Sequence, residues 1–339
     1  MKAVALFGAY DLRLVEIEDD ILGGHDVRAA ISRVGICGSD IHFFAHGRVG
    51  AFELNGPIVI GHEAAGVVLE VGPAVKRVRV GDRIAIEPGR PCAVCESCMD
   101  GSYNLCPDMA FPGLPPNPGY LAERVVIPER CAHVIPDEMT LDEAALLEPL
   151  SVALWAFSRV PASVGESVLI AGAGPIGVLL ARVAQASGMA RVAVVDVDST
   201  RLAELAGRTR IITEDVSDGW SRLDDNYETF FECTGADGVL FEGLKHVRRR
   251  GRAVVVGIPS GHALQIPAVP MRFREISVTC SFRYASTWPK AIAAVSQGIV
   301  PVRDIVSSVY GLEESQAAFE ASVRHEAGLK AMFRVNGND

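Results

Sequence analysis

Four cysteines fall in one short stretch, Cys92, Cys95, Cys98 and Cys106, with two, two and seven residues between them. Four thiolates in one loop suit the closed tetrahedral shell of a structural zinc ion, which leaves no coordination position open for chemistry. Disulfide pairing is the competing reading, and a reducing compartment opposes it. A second set is spread out: Cys37 in GICGSDIHFF, His62 and Glu63 in VIGHEAAGVV, and Glu148 in LLEPLSVALWA. Singly, a Cys or His among glycines is more often packing than ligand. Together, a thiolate, an imidazole and carboxylates describe a catalytic zinc that keeps one position for water or an alcohol.

A glycine pattern follows. Gly172-x-Gly174-x-x-Gly177 comes after the apolar run SVLIA, opens the helix-like PIGVLLARVAQASG, and is followed 19 residues later by Asp196 at the end of a second apolar run. The triplet alone is a weak match; set between a strand and a helix, with an acid in that place, it describes a dinucleotide site. The glycines allow a tight turn and a close approach to a pyrophosphate, whose charge is stabilised at the helix N-terminus. Asp196 can accept from both adenosine ribose hydroxyls and would repel a 2′-phosphate, so NAD is expected over NADP. Arg201 pulls the other way, since a guanidinium can hold a phosphate or stack on adenine. Asp198 is expected to cap the next helix.

These groups need elements to hold them. Up to about residue 155 the chain is rich in Gly and Pro, with short apolar runs at 58–60, 66–69 and 125–127, which predicts a mostly β domain with long loops. The opening MKAVALFGAYDLRLVEIEDD reads as a strand pair and not as a secretory signal, because its apolar part is short and its continuation acidic. From about Gly165 the pattern is that of a βαβ unit, the mark of a parallel, doubly wound sheet. Further strands are expected at 227–233, 252–257 and 275–280, and helices at 238–249 and 288–298. A helix at 312–324 and a strand at 329–335 follow, whose return to the first domain the pattern alone does not prove.

A chain of 339 residues exceeds what one core usually holds, which predicts two domains. Its 49% apolar and 22% charged residues are those of a soluble globular protein. Acidic side chains outnumber basic ones by 42 to 32, and a net charge of -10 argues against nucleic acid or an anionic membrane as partner. The long apolar stretch at 167–181 is broken by glycines and Pro175 and falls short of the roughly 20 residues that span a bilayer. A cytoplasmic location is expected.

The segments CGSDIHFFAHGRVG, GHEAAGVV, VGDRIAIEPG, EPLSVALWA, GAGPIG, ECTGA (232–236) and SFRYASTWP (281–289) occur in this order along the chain. In these it resembles the zinc-containing medium-chain dehydrogenases, most closely their sorbitol and xylitol dehydrogenase branch. The resemblance implies a GroES-like β-rich catalytic domain over 1–155 and 290–339 and a Rossmann domain over 156–289. It implies a catalytic zinc on Cys37, His62 and Glu63, with Glu148 beside the metal or in its shell, and a structural zinc on the four clustered cysteines. Ser39 and His42 match the family's proton relay, while Asp40 is expected to orient His62. NAD would lie against Gly172, Gly174, Pro175, Ile176, Gly177, Asp196, Arg201, Val256, Gly257, Ile258, Ser281, Phe282 and Arg283. The substrate would meet Phe43, Phe111, Glu148, Arg283 and Tyr284.

The implied reaction is oxidation of a secondary hydroxyl of a polyol to the ketose, with zinc polarising the oxygen and nicotinamide taking the hydride. A homo-oligomer is implied, a tetramer before a dimer, with strand-like 268–279 as an interface element. Two departures stand out. Phe43 replaces the family's substrate-touching tyrosine, and 201–227 is shorter than usual, with RTRIITEDVSDGW in place of the common lead-in, which puts a helix or loop there in doubt. A sugar-acid (L-idonate-type) or L-threonine dehydrogenase of the same fold is the nearest alternative. A non-catalytic, zinc-stabilised nucleotide sensor is a remoter one, and the retained Cys37, Ser39, His42, His62, Glu63 and Glu148 speak against it.

Overall fold

The computed structural model describes residues 1–206, 211–259 and 263–337. The chain divides into two compact units, Met1–Glu148 with Trp288–Asp339, and Pro149–Thr287. The first opens with an antiparallel hairpin, β1 (Lys2–Gly8) and β2 (Asp11–Glu16), followed by the long strand β3 (Asp26–Gly35) and the helix α1 (Gly38–His46). After the short pair β4 (Arg48–Val49) and β5 (Phe52–Glu53) come β6 (Ile58–Val59), β7 (Glu63–Val71) and β8 (Arg83–Ile86). Then follow the one-turn helix α2 (Glu96–Met99), β9 (Arg124–Pro128), β10 (Ala132–Val134) and α3 (Leu141–Ala145). β3 pairs antiparallel with both β7 and β9 and buries Val27, Ala29, Ile31 and Val34, so the unit's core is built around it. Amphipathic α1 adds Phe43 and Phe44 to that core. At α3 a capping box, with Thr140 and Glu143 accepting each other's backbone N–H, fixes the approach to Glu148 at a gain of about 1 kcal/mol.

The helix α4 (Leu147–Ser158) begins in the first unit and continues into the second, where it leads to β11 (Ser167–Ala171), α5 (Pro175–Ala186), β12 (Arg191–Asp196), α6 (Ser199–Leu205) and β13 (Ile211–Asp215). Next come β14 (Tyr227–Glu232), α7 (Val239–Gly243), β15 (Val247–Val255), α8 (Ala268–Arg274) and β16 (Ser277–Cys280). The six strands form a parallel sheet in the order β13-β12-β11-β14-β15-β16. Interior strands such as β11 and β12 are buried along nearly their whole length, as a sheet covered on both faces requires. α5 starts with Pro175 at its first position, where a missing N–H costs nothing.

Two sequence expectations are corrected. Residues 268–274 form a helix, not a strand: alternating Val269, Met271 and Phe273 mimic a strand, but Pro270 sits in the first turn, where proline is tolerated. The helix expected over 238–249 ends early, and β15 begins at Val247. Within RTRIITEDVSDGW, residues 208–210 lie outside the described residues. The connection over 216–226 from β13 to β14 contains no helix; Val216, Trp220 and Leu223 pack on the sheet in its place. Parallel crossovers of this length usually carry one.

The chain then re-enters the first unit through α9 (Trp288–Ser296), β17 (Val306–Tyr310), α10 (Ser315–Val323) and β18 (Lys330–Arg334). β18 pairs antiparallel with β3, Met332 opposite Gly35, completing the order β10-β8-β7-β3-β18-β17 with β9 alongside β3. Phe319 and Phe333 close the core against Phe44. Among the described residues no helix is long and apolar enough to cross a membrane.

Candidate functional site

The end of β3 and the start of β7 bring the spread-out ligand candidates together. Cys37 is the N-cap of α1, and its N–H donates to Asp40 Oδ2 at 3.1 Å. The other oxygen of Asp40 lies 3.4 Å from His62 Nδ1, so the carboxylate sets the imidazole's orientation from behind. Glu63, the first residue of β7, stands opposite Gly35 in the β3–β7 register, and a Cβ at Gly35 would collide with its Oε2. One ligand atom each from Cys37, His62 and Glu63 falls within 4.8 Å of the others. Glu148, in the first turn of α4 and 5% exposed, is not part of that tight group.

A residue that the sequence reading missed completes this pocket. Lys330, the first residue of β18 and 3% exposed, donates to the Ile36 carbonyl at 2.8 Å and to Glu63 Oε1 at 2.7 Å, with Oε2 at 2.5 Å. Burial pulls its ammonium down, but Glu63, Cys37 and Glu148 outweigh that and hold it above its ordinary value. Likewise burial pulls His62 down, while Asp40 and Cys37 hold it well above. Both shifts have one cause, the acidic groups packed into this pocket beside each cation. The convergence of mixed sulfur, nitrogen and oxygen donors fits a zinc ion. A lysine inside the apolar AGLKAMFRV was the available signal.

Around this group Phe111 sets its ring 5.2 Å from that of His62. Phe43 is 1% exposed within the core cluster. Ser39 and His42 lie three positions apart on α1, hence on one face. Burial, and secondarily His46, whose ring is 5.9 Å away, hold His42 below its ordinary value.

The four clustered cysteines form a separate knot. Cys98 Sγ lies 3.9 Å from Cys92 Sγ and 3.5 Å from Cys95 Sγ, and all four sulfurs fall within 4.8 Å. No disulfide joins them. The backbone N–H groups of Val94 and Cys95 lower Cys92 to about 7, whereas burial and the neighbouring thiols push Cys98 up to about 12. Four sulfurs at such spacing fit a tetrahedral cation. Tyr103, inside this loop, donates to Glu87 Oε1 at 2.8 Å; His133 Nε2 meets Glu87 Oε2 at 2.8 Å and stacks on Trp288 at 4.8 Å. The loop is thereby tied to β10.

In the second unit the nucleotide candidates gather at the carboxyl ends of the parallel strands. Gly172 has φ +105, and Gly174, the N-cap of α5, has nothing within 4 Å of where a Cβ would stand, which leaves a cradle for a phosphate. Asp196 Oδ2 accepts from Ala173 N–H at 2.6 Å and Oδ1 from Asp198 N–H at 3.0 Å, so its carboxylate is fixed beside the glycine turn. Arg201 pairs with Asp198 at 3.4 Å, and Asp198 caps α6 through Thr200 and Arg201 N–H. Val256 and Gly257 donate to the Glu232 carbonyl, and Ser281 donates to that of Val255. Arg283, at φ +49, stacks its guanidinium 4.8 Å over the exposed ring of Phe282, while Tyr284 is 4% exposed. Arg283 and Tyr284 belong to this unit; Phe43, Phe111 and Glu148 belong to the first.

Two family models match the chain, the alcohol dehydrogenase GroES-like domain over residues 23–137 and the zinc-binding dehydrogenase over residues 175–297. It is 37% identical to sorbitol dehydrogenase of Rattus norvegicus over 99% of this chain and 96% of that protein. It is 35% identical to L-idonate 5-dehydrogenase of Vitis vinifera, over 98% of this chain and 94% of that one. The structure of ECK1772, an oxidoreductase/dehydrogenase of unknown specificity from Escherichia coli, superposes with a TM-score of 0.91 at 32% identity and 99% coverage of both chains. Fold, donor clusters and end-to-end identity agree: the chain belongs to the zinc-containing medium-chain dehydrogenases, in their polyol dehydrogenase branch, and is an oxidoreductase.

Proposed function

We propose that the enzyme oxidises a secondary hydroxyl of a sugar alcohol such as sorbitol or xylitol to the ketose, with NAD as acceptor. The observation that carries this is the Cys37, His62 and Glu63 group, whose sulfur, nitrogen and oxygen ligand atoms converge within 4.8 Å of one another, as suits a zinc ion. In this reading 1–155 and 290–339 are the zinc-binding catalytic domain, and 156–289 the NAD-binding domain. Cys37, His62 and Glu63 hold the catalytic zinc with Glu148 beside it; Cys92, Cys95, Cys98 and Cys106 hold the structural one. When bound, zinc supplies a Lewis acid that lowers the pKa of a hydroxyl, and the nicotinamide supplies a hydride acceptor.

The chain's own residues do the rest. Asp40 fixes His62, and Lys330 neutralises Glu63 and keeps its carboxylate in place. Ser39 and His42 carry the released proton outward, and an imidazole held below its ordinary value is free to accept one at neutral pH. Gly172, Gly174, Pro175, Ile176 and Gly177 receive the pyrophosphate, with Val256, Gly257, Ile258, Ser281 and Phe282 along the rest of the cofactor. Asp196 takes the ribose hydroxyls; Arg201, already paired with Asp198, is less available for a 2′-phosphate, which favours NAD. Arg283 and Tyr284 offer a guanidinium fork and a hydroxyl to the polyol, with Phe43 and Phe111 as apolar walls.

The Vitis vinifera relative favours a sugar acid as second substrate class, whose carboxylate Arg283 would suit. A cytoplasmic homo-oligomer, a tetramer before a dimer, completes the proposal. Initial rates of NADH formation with sorbitol, xylitol, galactitol, ribitol, L-idonate and L-threonine, with and without zinc chelation, test it. Chelator-sensitive turnover of a polyol is the expected result. Turnover of L-idonate alone would move the reading to a sugar acid, and no turnover despite NAD binding would end it.

A further inference from the structure

Glu232 closes β14 with its side chain 1% exposed, and neither the metal cluster nor the glycine fingerprint uses it. Its Oε1 accepts from Thr234 N–H at 2.6 Å, Thr234 Oγ1 at 2.5 Å and Gly235 N–H at 2.9 Å. Its main-chain carbonyl accepts from Val256 and Gly257 N–H, at 2.8 and 2.9 Å. One residue thus fastens the turn after β14 to the loop after β15. The two backbones touch: a Cβ at Gly257 would collide with Gly235 N, and one at Gly235, at φ +67, with Ile258 O. The methyl of Thr234 reaches 3.1 Å from where a Gly172 Cβ would stand, so the same turn packs against the first glycine of the phosphate loop.

The second oxygen, Oε2, is buried without a hydrogen-bond partner among the described residues and lies 2.9 Å from the Cβ position of Gly257. The neighbouring Cys233 thiol is pushed up, by burial first and by the Glu232 charge second. A carboxylate with three donors on one oxygen and none on the other leaves a local excess of negative charge at the carboxyl end of the sheet. The nicotinamide ring is positive when oxidised and neutral when reduced. A fixed negative charge in a poorly screened crevice therefore discriminates between the two forms.

We infer that Glu232 is a positioning residue of the nucleotide crevice, its side chain bracing the turn after β14 through one oxygen while its charge favours the oxidised over the reduced cofactor. The inference rests on the nucleotide site proposed above. Its test is titration of the zinc-replete full chain with NAD⁺ and with NADH, followed by protein fluorescence, for wild type, Glu232→Gln and Glu232→Asp. Glutamine keeps an acceptor for Thr234 and Gly235 and loses the charge; it should weaken NAD⁺ about tenfold more than NADH, the order of one partly screened charge. Aspartate keeps the charge but shortens the reach, so both affinities should fall together with their ratio preserved.

Equal losses for both forms in Glu232→Gln would overturn the inference, as would a ratio that moves in Glu232→Asp. That second variant decides if the glutamine chain does not fold. Wild type binding neither form would instead sink the nucleotide site itself.

Discussion

The two cysteine-bearing clusters of this chain are built in opposite ways. The knot of Cys92, Cys95, Cys98 and Cys106 is local: its donors lie within one loop, their spacing is set by neighbouring backbone, and three of the four are only partly buried. The Cys37 group is assembled from the N-cap of α1 just after β3, the start of β7 and, through Lys330, the start of β18. A local knot can be rigid without affecting anything distant. A distributed one ties the site to the fold, because each of its residues sits on or beside an element whose packing also supports the core.

The strongest way to break that contrast is to remove a distributed ligand. Cys37→Ser should lower turnover of the best polyol by on the order of a thousandfold while fluorescence still reports NAD binding; turnover within tenfold of wild type would place the chemistry elsewhere. Next, Lys330→Met leaves Glu63 as a buried, unbalanced carboxylate and should cost about 3 kcal/mol in denaturant unfolding of chelated protein. An unchanged midpoint there would mean that the ammonium is dispensable. Cys98→Ser sharpens the other side: metal analysis should show one zinc fewer per chain and a lower melting temperature, with turnover reduced less than about tenfold, since a closed site holds no substrate. The smallest effect is expected from Tyr103→Phe, which loses its bond to Glu87 and should cost about 1 kcal/mol with both zincs retained.

Legibility in the sequence follows the same division. The four-cysteine spacing, the glycine fingerprint and Asp196 are local patterns whose physics is contained in a few turns of chain, and they could be read directly. Lys330 could not, because its partner Glu63 is met only when β18 pairs with β3. Nor could Glu232, which reads as the last residue of an apolar strand until the loops after β14 and β15 come together around it. At 268–274 alternation misled, since apolar residues two apart on a short helix with a proline in its first turn imitate a strand. In the 216–226 crossover the missing helix was visible only as missing length, and the sequence did not say that Trp220 would pack in its stead.

The pairing of β18 with β3 also sets a timetable for synthesis. Chains emerge from the ribosome N-terminal part first, and domains fold as units. Cys37, His62 and Glu63 are made early, yet the strand that carries Lys330 follows the whole of Pro149–Thr287. Until then β3 presents an open edge near Gly35, and the Glu63 carboxylate lacks its ammonium. A nascent chain is therefore most exposed to mispairing while its second unit is still being made, and the pocket of Cys37, His62 and Glu63 is among the last features to reach its final form.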